Sequence, residues 1–159
     1  MPLDDNRTPA LPRWQELPDL ELYMDQVLSL TERYLSVCPG LDSRGLTGAM
    51  VNNYVKLGVL PAPRRKRYSR AQLARLIVIC VLKPVLPIAS IKKLVENGLR
   101  TLTEEAFYDG FCDRFEETQR AMERPAGGED AQSATLRAAL RAQAEQGLAQ
   151  RLLDGMEEK

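Results

Sequence analysis

The sequence predicts an all-α fold, interrupted once by a short basic hairpin and flanked by N- and C-terminal helices. Three observations lead there. Apolar residues recur every three or four positions in six separate stretches, the period of a helix with one buried face. Helix-capping residues stand at several starts: Thr47, Ser69 with Gln72, and Thr101 with Glu104. Prolines and glycines punctuate the stretches, at Pro39-Gly40, Pro61 and Pro63, Pro84 and Pro87, and Pro125-Ala126-Gly127-Gly128.

The elements follow in order. Pro12-Arg13-Trp14-Gln15-Glu16-Leu17-Pro18 reads as an extended lead-in, with Trp14 anchoring it on the core. Asp19 occupies an N-cap position and Glu21 the first turn of a helix whose face is Leu20, Tyr23, Met24, Val27, Leu28, Leu30, Tyr34 and Leu35. Pro39-Gly40 ends it. Thr47 caps a short helix that buries Met50, Val51, Tyr54 and Val55 (or Leu57), closes at Gly58 and turns Ala49, Asn52, Asn53 and Lys56 outward. Two prolines then hold Arg64, Arg65, Lys66 and Arg67 on a strand or tight hairpin ahead of Tyr68.

Ser69 and Gln72 open a helix through Lys83, with Leu73, Leu76, Ile77, Cys80 and Val81 as its buried stripe. Ile88, Ile91, Leu94 and Val95 define another helix that ends at Asn97-Gly98. Thr101 and Glu104 begin a helix carrying Phe107, Phe111 and Phe115. That ridge packs against the N-terminal helix or, on the minor reading, lines a pocket for a small-molecule effector. Beyond the linker, Leu136, Leu140, Ala144, Leu148 and Leu152 mark an amphipathic helix that needs a partner surface, in cis or from a second subunit. The organisation predicted is a lead-in and helix over 1–43, a compact unit over 44–98, a helical extension over 99–124, a linker over 125–130 and a final helix over 131–159.

The formal net charge of +0 conceals a strong asymmetry. Residues 1–43 carry −5, residues 44–95 carry +11 without a single acid, and residues 96–159 carry −6. An acid-free block of this length attracts polyanions, and duplex DNA presents one charge per ~1.7 Å. The competing expectation is that the acidic flanks fold back and neutralise it. There is no histidine, and the three cysteines, Cys38, Cys80 and Cys112, are widely spaced. That excludes a disulfide framework, a paired metal knuckle and His-based acid-base chemistry, so neither an enzyme nor a cofactor is expected. The longest apolar run, Leu76 to Leu82, has seven residues, against roughly 18–20 for a membrane helix. The acidic start, Met-Pro-Leu-Asp-Asp, is unlike a secretory signal. A cytoplasmic, nucleoid-associated protein is expected.

Several linked motifs carry a family resemblance. Tyr54, Gly58-Val59-Leu60, the basic Pro61–Arg67 stretch, Tyr68-Ser69 and the apolar helix Leu73–Leu82 resemble the DNA-binding head of MerR-type winged helix-turn-helix regulators. Ile88-Ala89-Ser90-Ile91-Lys92-Lys93-Leu94 resembles that family's next helix, and the run from Pro12-Arg13-Trp14 to Val95 resembles an uncharacterised bacterial family of MerR-like proteins. The chain departs from typical members at Asn52 and Val55, in a shorter wing, and at Val37 to Arg44, where Pro39-Gly40 interrupts the motif's usual first helix.

The resemblance implies a winged helix-turn-helix over 44–98 with a short basic β-hairpin wing, a transcription regulator bound to double-stranded DNA, and a homodimer formed through helices outside that unit. Asn52 and Asn53 are expected at base edges, where paired amide contacts suit adenine. Thr47 and Tyr54 are expected near phosphate, with Lys56 and Tyr68 on the same surface. Arg64, Arg65, Lys66 and Arg67 grip the backbone. The alternative is a protein-interaction module on the same scaffold without sequence-specific DNA binding.

Overall fold

The computed structural model describes residues 8–38, 40–41 and 45–156. A 3-10 turn, Trp14–Glu16, precedes α1 (Met24–Leu35), α2 (Gly48–Lys56), α3 (Arg70–Leu82), α4 (Ile88–Leu99), α5 (Glu104–Ala121) and α6 (Ala131–Gly155). The expected helix end at Pro39-Gly40 and the interrupted motif at Val37 to Arg44 fall partly on residues 39 and 42–44, outside the described residues.

The organising element is α3. Ser69 and Gln72 cap it reciprocally, the Ser69 N–H donating to Gln72 Oε1 at 2.7 Å. Its Leu73, Ala74, Leu76, Ile77, Val78 and Ile79 are all buried, so it is apolar on nearly every side and lies at the centre. α1, α4 and α5 pack around it. Each fully buried Leu or Ile there contributes roughly 1.5–3 kcal/mol from water exclusion.

Among the described residues no strand forms, so the winged helix-turn-helix with a β-hairpin wing is corrected to an all-α fold. Two isolated bridges, Leu22 with Tyr68 and Arg64 with Arg67, are the β pairing present. The cause is local. Pro61 and Pro63 have no N–H to give a ladder, and the facing chain contributes Leu22 alone before α1 begins.

The same bridge moves the start of α1. Asp19 was expected to cap it, yet the helix begins at Met24 with Tyr23 in the cap position. The Leu22 N–H donates to Tyr68 O at 2.9 Å and the Tyr68 N–H to Leu22 O at 2.8 Å, which holds the chain out of helical geometry there. At α5 the cap is Thr103, whose Oγ1 accepts from Ala106 N at 3.1 Å, and not Thr101. Thr101 is occupied in closing α4, where the Leu102 N–H returns to Gly98 O at 3.1 Å.

The lead-in forms a strap along α5. Tyr108 Oη donates to Pro12 O at 2.7 Å, the Trp14 N–H donates to Asp109 Oδ1 at 2.9 Å, and Arg13 forks onto Asp113 and Glu116. Trp14 sits between Tyr108, 6.4 Å between ring centroids, and the Arg70 guanidinium, 5.7 Å from its ring.

α6 docks lightly. Leu153 is buried, and Gln146 Nε2 donates to Val85 O at 2.8 Å. The stripe expected to find a partner stays open: Leu136, Leu140, Leu148 and Leu152 are 43–60% exposed. Among the described residues no helix is long and apolar enough to cross a membrane.

Candidate nucleic-acid interface

The two parts expected to meet nucleic acid, α2 and the basic turn, are joined by a tightly anchored segment. Gly58, at φ +77°, ends α2, and the N–H groups of buried Val59 and Leu60 both point to Tyr54 O, at 3.1 and 3.2 Å. Gln72 Nε2 then ties Pro61 O to α3 at 2.9 Å. On the far side Tyr68, 2% exposed, is held by the Leu22 bridge. The base of the turn is therefore fixed from both ends.

From that base the chain reverses in two residues. Arg64 and Arg67 exchange backbone hydrogen bonds of 3.1 and 2.9 Å, with Arg65 at φ +51° and Lys66 at φ +61° between them. Two successive left-handed residues are the pattern of a type I′ turn, which favours Asn-Gly. A long side chain in that conformation loses roughly 1–2 kcal/mol per residue. Here two cations occupy it.

Arg64, Arg65, Lys66 and Arg67 are all exposed. Among the described residues the side chains of Arg64, Arg65 and Lys66 have no ion-pair partner. Arg67 is engaged: it lies 3.7 Å from Glu21, donates to Tyr23 Oη at 3.0 Å and stands 5.2 Å from that ring's centroid. Glu21, Arg64, Arg65 and Arg67 line a cleft of about 350 Å³. Two other cations of the acid-free block turn inward, Arg70 beside Asp19 at 3.8 Å and Arg75 onto Glu104, their side chains 16% and 15% exposed. The acidic flanks thus fold back on part of the block and leave the tip of the turn open.

α2 divides cleanly. Val51 and Tyr54 are buried, while Ala49, Asn52, Asn53 and Lys56 are exposed at i, i+3, i+4 and i+7, one face of a helix. Thr47 serves as the cap, its Oγ1 accepting from Met50 N at 3.2 Å. Tyr54 and Tyr68, expected on the interface, are core residues, 3% and 2% exposed. Burial pushes the Tyr54 phenol up to about 12. Their apolar rings contribute more inside than at a wet surface.

Phe107, Phe111 and Phe115 pack half-buried against the core. Phe107 lies on α4 where a β-carbon at Gly98 would come 2.5 Å from its ring. The cysteines are chemically quiet: burial raises the thiols of Cys38, Cys80 and Cys112 to about 11.

Asp19, Glu21 and Tyr23 were missed at this site. Their alternation was the available signal, because an extended chain directs every second side chain to one side. Reading them as helix hid it.

Residues 12–111 match the family described as Domain of unknown function (DUF1836). The matched span runs from the strap through the first half of α5, and it carries no link to MerR-type regulators. No curated protein and no solved structure matches the chain. Because the match covers more than half of its 159 residues, the chain belongs to the DUF1836 family, a domain of unknown function.

Proposed function

We propose that the protein is a DNA-binding transcriptional regulator, with α2 in the major groove and the basic turn on phosphate. The observation that carries this is the tip at Arg65-Lys66. Strained left-handed backbone on a clamped base holds two exposed cations that make no ion pair among the described residues. Strain at such a position points to a role outside the fold's own stability. The exposed, acid-free face of α2 adds an element short enough to enter the groove. The resemblance of residues 45–95 to the DNA-binding head of MerR-type regulators supports the same reading from sequence. A second copy is proposed to cover the open leucines of α6, which lies beyond the family match.

The test is fluorescence anisotropy with labelled random duplex over a salt series. The slope of log K against log salt is about −0.9 per neutralised phosphate. Arg64→Ala with Lys66→Ala weakens binding to every sequence and flattens that slope by about 1.8. An unchanged slope removes the turn from the interface. Retention on heparin without duplex binding at physiological salt supports the protein-interaction module instead.

A further inference from the structure

The outward face of α2 has a chemistry of its own, separate from the cations of the turn. It carries one methyl group (Ala49), two primary amides (Asn52 and Asn53) and one ammonium (Lys56). It carries no arginine and no carboxylate. Among the described residues neither amide has a hydrogen-bond partner within the chain, although each holds two donor hydrogens and an acceptor oxygen. A helix with its side chains is about 10–12 Å across, a diameter that the ~12 Å major groove admits.

These groups fit one kind of base pair. Adenine offers an N7 acceptor beside an N6 donor, which an amide meets with two bonds, and thymine offers a methyl group for an apolar contact. Guanine offers two acceptors, met by an arginine fork or a lysine, and cytosine offers a donor, best met by a carboxylate. Neither an arginine nor a carboxylate stands on this face, and its one lysine, Lys56, lies in the last turn, away from the two amides at the helix centre. We infer that α2 selects A·T base pairs: Asn52 and Asn53 pair with adenine edges and the Ala49 methyl rests on a thymine methyl. This rests on the proposed DNA-binding function and names what that site reads. In this reading Lys56, in the last turn, contacts phosphate, and Lys56→Ala leaves the A·T enrichment in place.

Selection of bound sites from a random duplex pool tests it with the full chain. The expected result is enrichment of adjacent A·T pairs. On the selected duplex, 7-deazaadenine removes the N7 acceptor and uracil for thymine removes the methyl group, with the protein untouched. At a contacted pair 7-deazaadenine costs roughly tenfold in affinity, and uracil for thymine, which removes one methyl group, costs up to about fourfold. In Asn52→Ala or Asn53→Ala the matching 7-deazaadenine penalty disappears and base preference relaxes. Both residues are exposed, and circular dichroism confirms that the variants keep the fold. Selected sites without A·T enrichment, or 7-deazaadenine penalties that survive in both variants, overturn the inference and leave DNA binding standing. Failure to retain any duplex overturns both.

Discussion

Stability and binding should move in opposite directions at the basic turn. Arg65 and Lys66 hold φ of +51° and +61°, a conformation costing a side chain roughly 1–2 kcal/mol each. Arg65→Asn with Lys66→Gly installs the pair that a type I′ turn prefers. The two hydrogen bonds that close the turn run between the backbones of Arg64 and Arg67, so they persist. Neither replaced side chain has an ion pair to lose among the described residues. Glycine adds about 0.5–1 kcal/mol of unfolded-state freedom that offsets part of the relief. The net expectation is a gain of about 1–3 kcal/mol, which raises the Tm of a chain this size by roughly 2–12 °C. The same variant removes two cations, so the salt slope of duplex binding should flatten by about 1.8. Thermal unfolding by circular dichroism and anisotropy against salt read the two effects separately. A Tm that falls or stays put refutes the strain argument, and an unchanged salt slope refutes the placement of the tip on phosphate.

Glu21→Gln removes the carboxylate 3.7 Å from Arg67, at the cleft it shares with Arg64 and Arg65. Retention on heparin should rise, the equilibrium shifting by up to about fivefold for an exposed pair worth at most ~1 kcal/mol; weaker retention would show that Glu21 orients Arg67 and does not compete with ligand. Gly98→Ala places a β-carbon 2.5 Å from the Phe107 ring, so overpacking of about 1–3 kcal/mol outweighs the helix-propensity gain of up to ~1 kcal/mol. Urea unfolding should show net destabilisation, whereas Gly147→Ala, whose nearest neighbour is the end of Arg151 at 3.7 Å, should stabilise the chain. Stability should also fall in alkali. Burial raises the three cysteine thiols from 9.0 to about 11 and the Tyr54 phenol from 10.0 to about 12. Above pH 9 the unfolded chain therefore releases protons that the folded chain keeps, and folding loses ground up to about pH 12. A urea midpoint that stays flat or rises between pH 9 and pH 11 contradicts this.

The helices were legible where short-range chemistry decides them. At α3 the Ser69-Gln72 box and the apolar run after it act within a few residues, and the structure follows both. Asp19 looked equally good as a cap, but Leu22, three residues on, exchanges two backbone hydrogen bonds with Tyr68, far along the chain. No local pattern reports such a partner, so the helix start and the missing wing strands share one cause. Charge behaved the same way. The acid-free block was visible in the sequence, yet Trp14 and Asp19 draw Arg70 inward and Glu104 draws Arg75. What stays outward includes the α2 face and the tip of the turn, which tertiary contacts leave alone. The extended segment between the strap and α1, whose Leu22 pairs with Tyr68, also brings Glu21 and Tyr23 to Arg67. The segment that shortens α1 is thus the one that limits how much positive charge a ligand meets, and a change in it must alter both together.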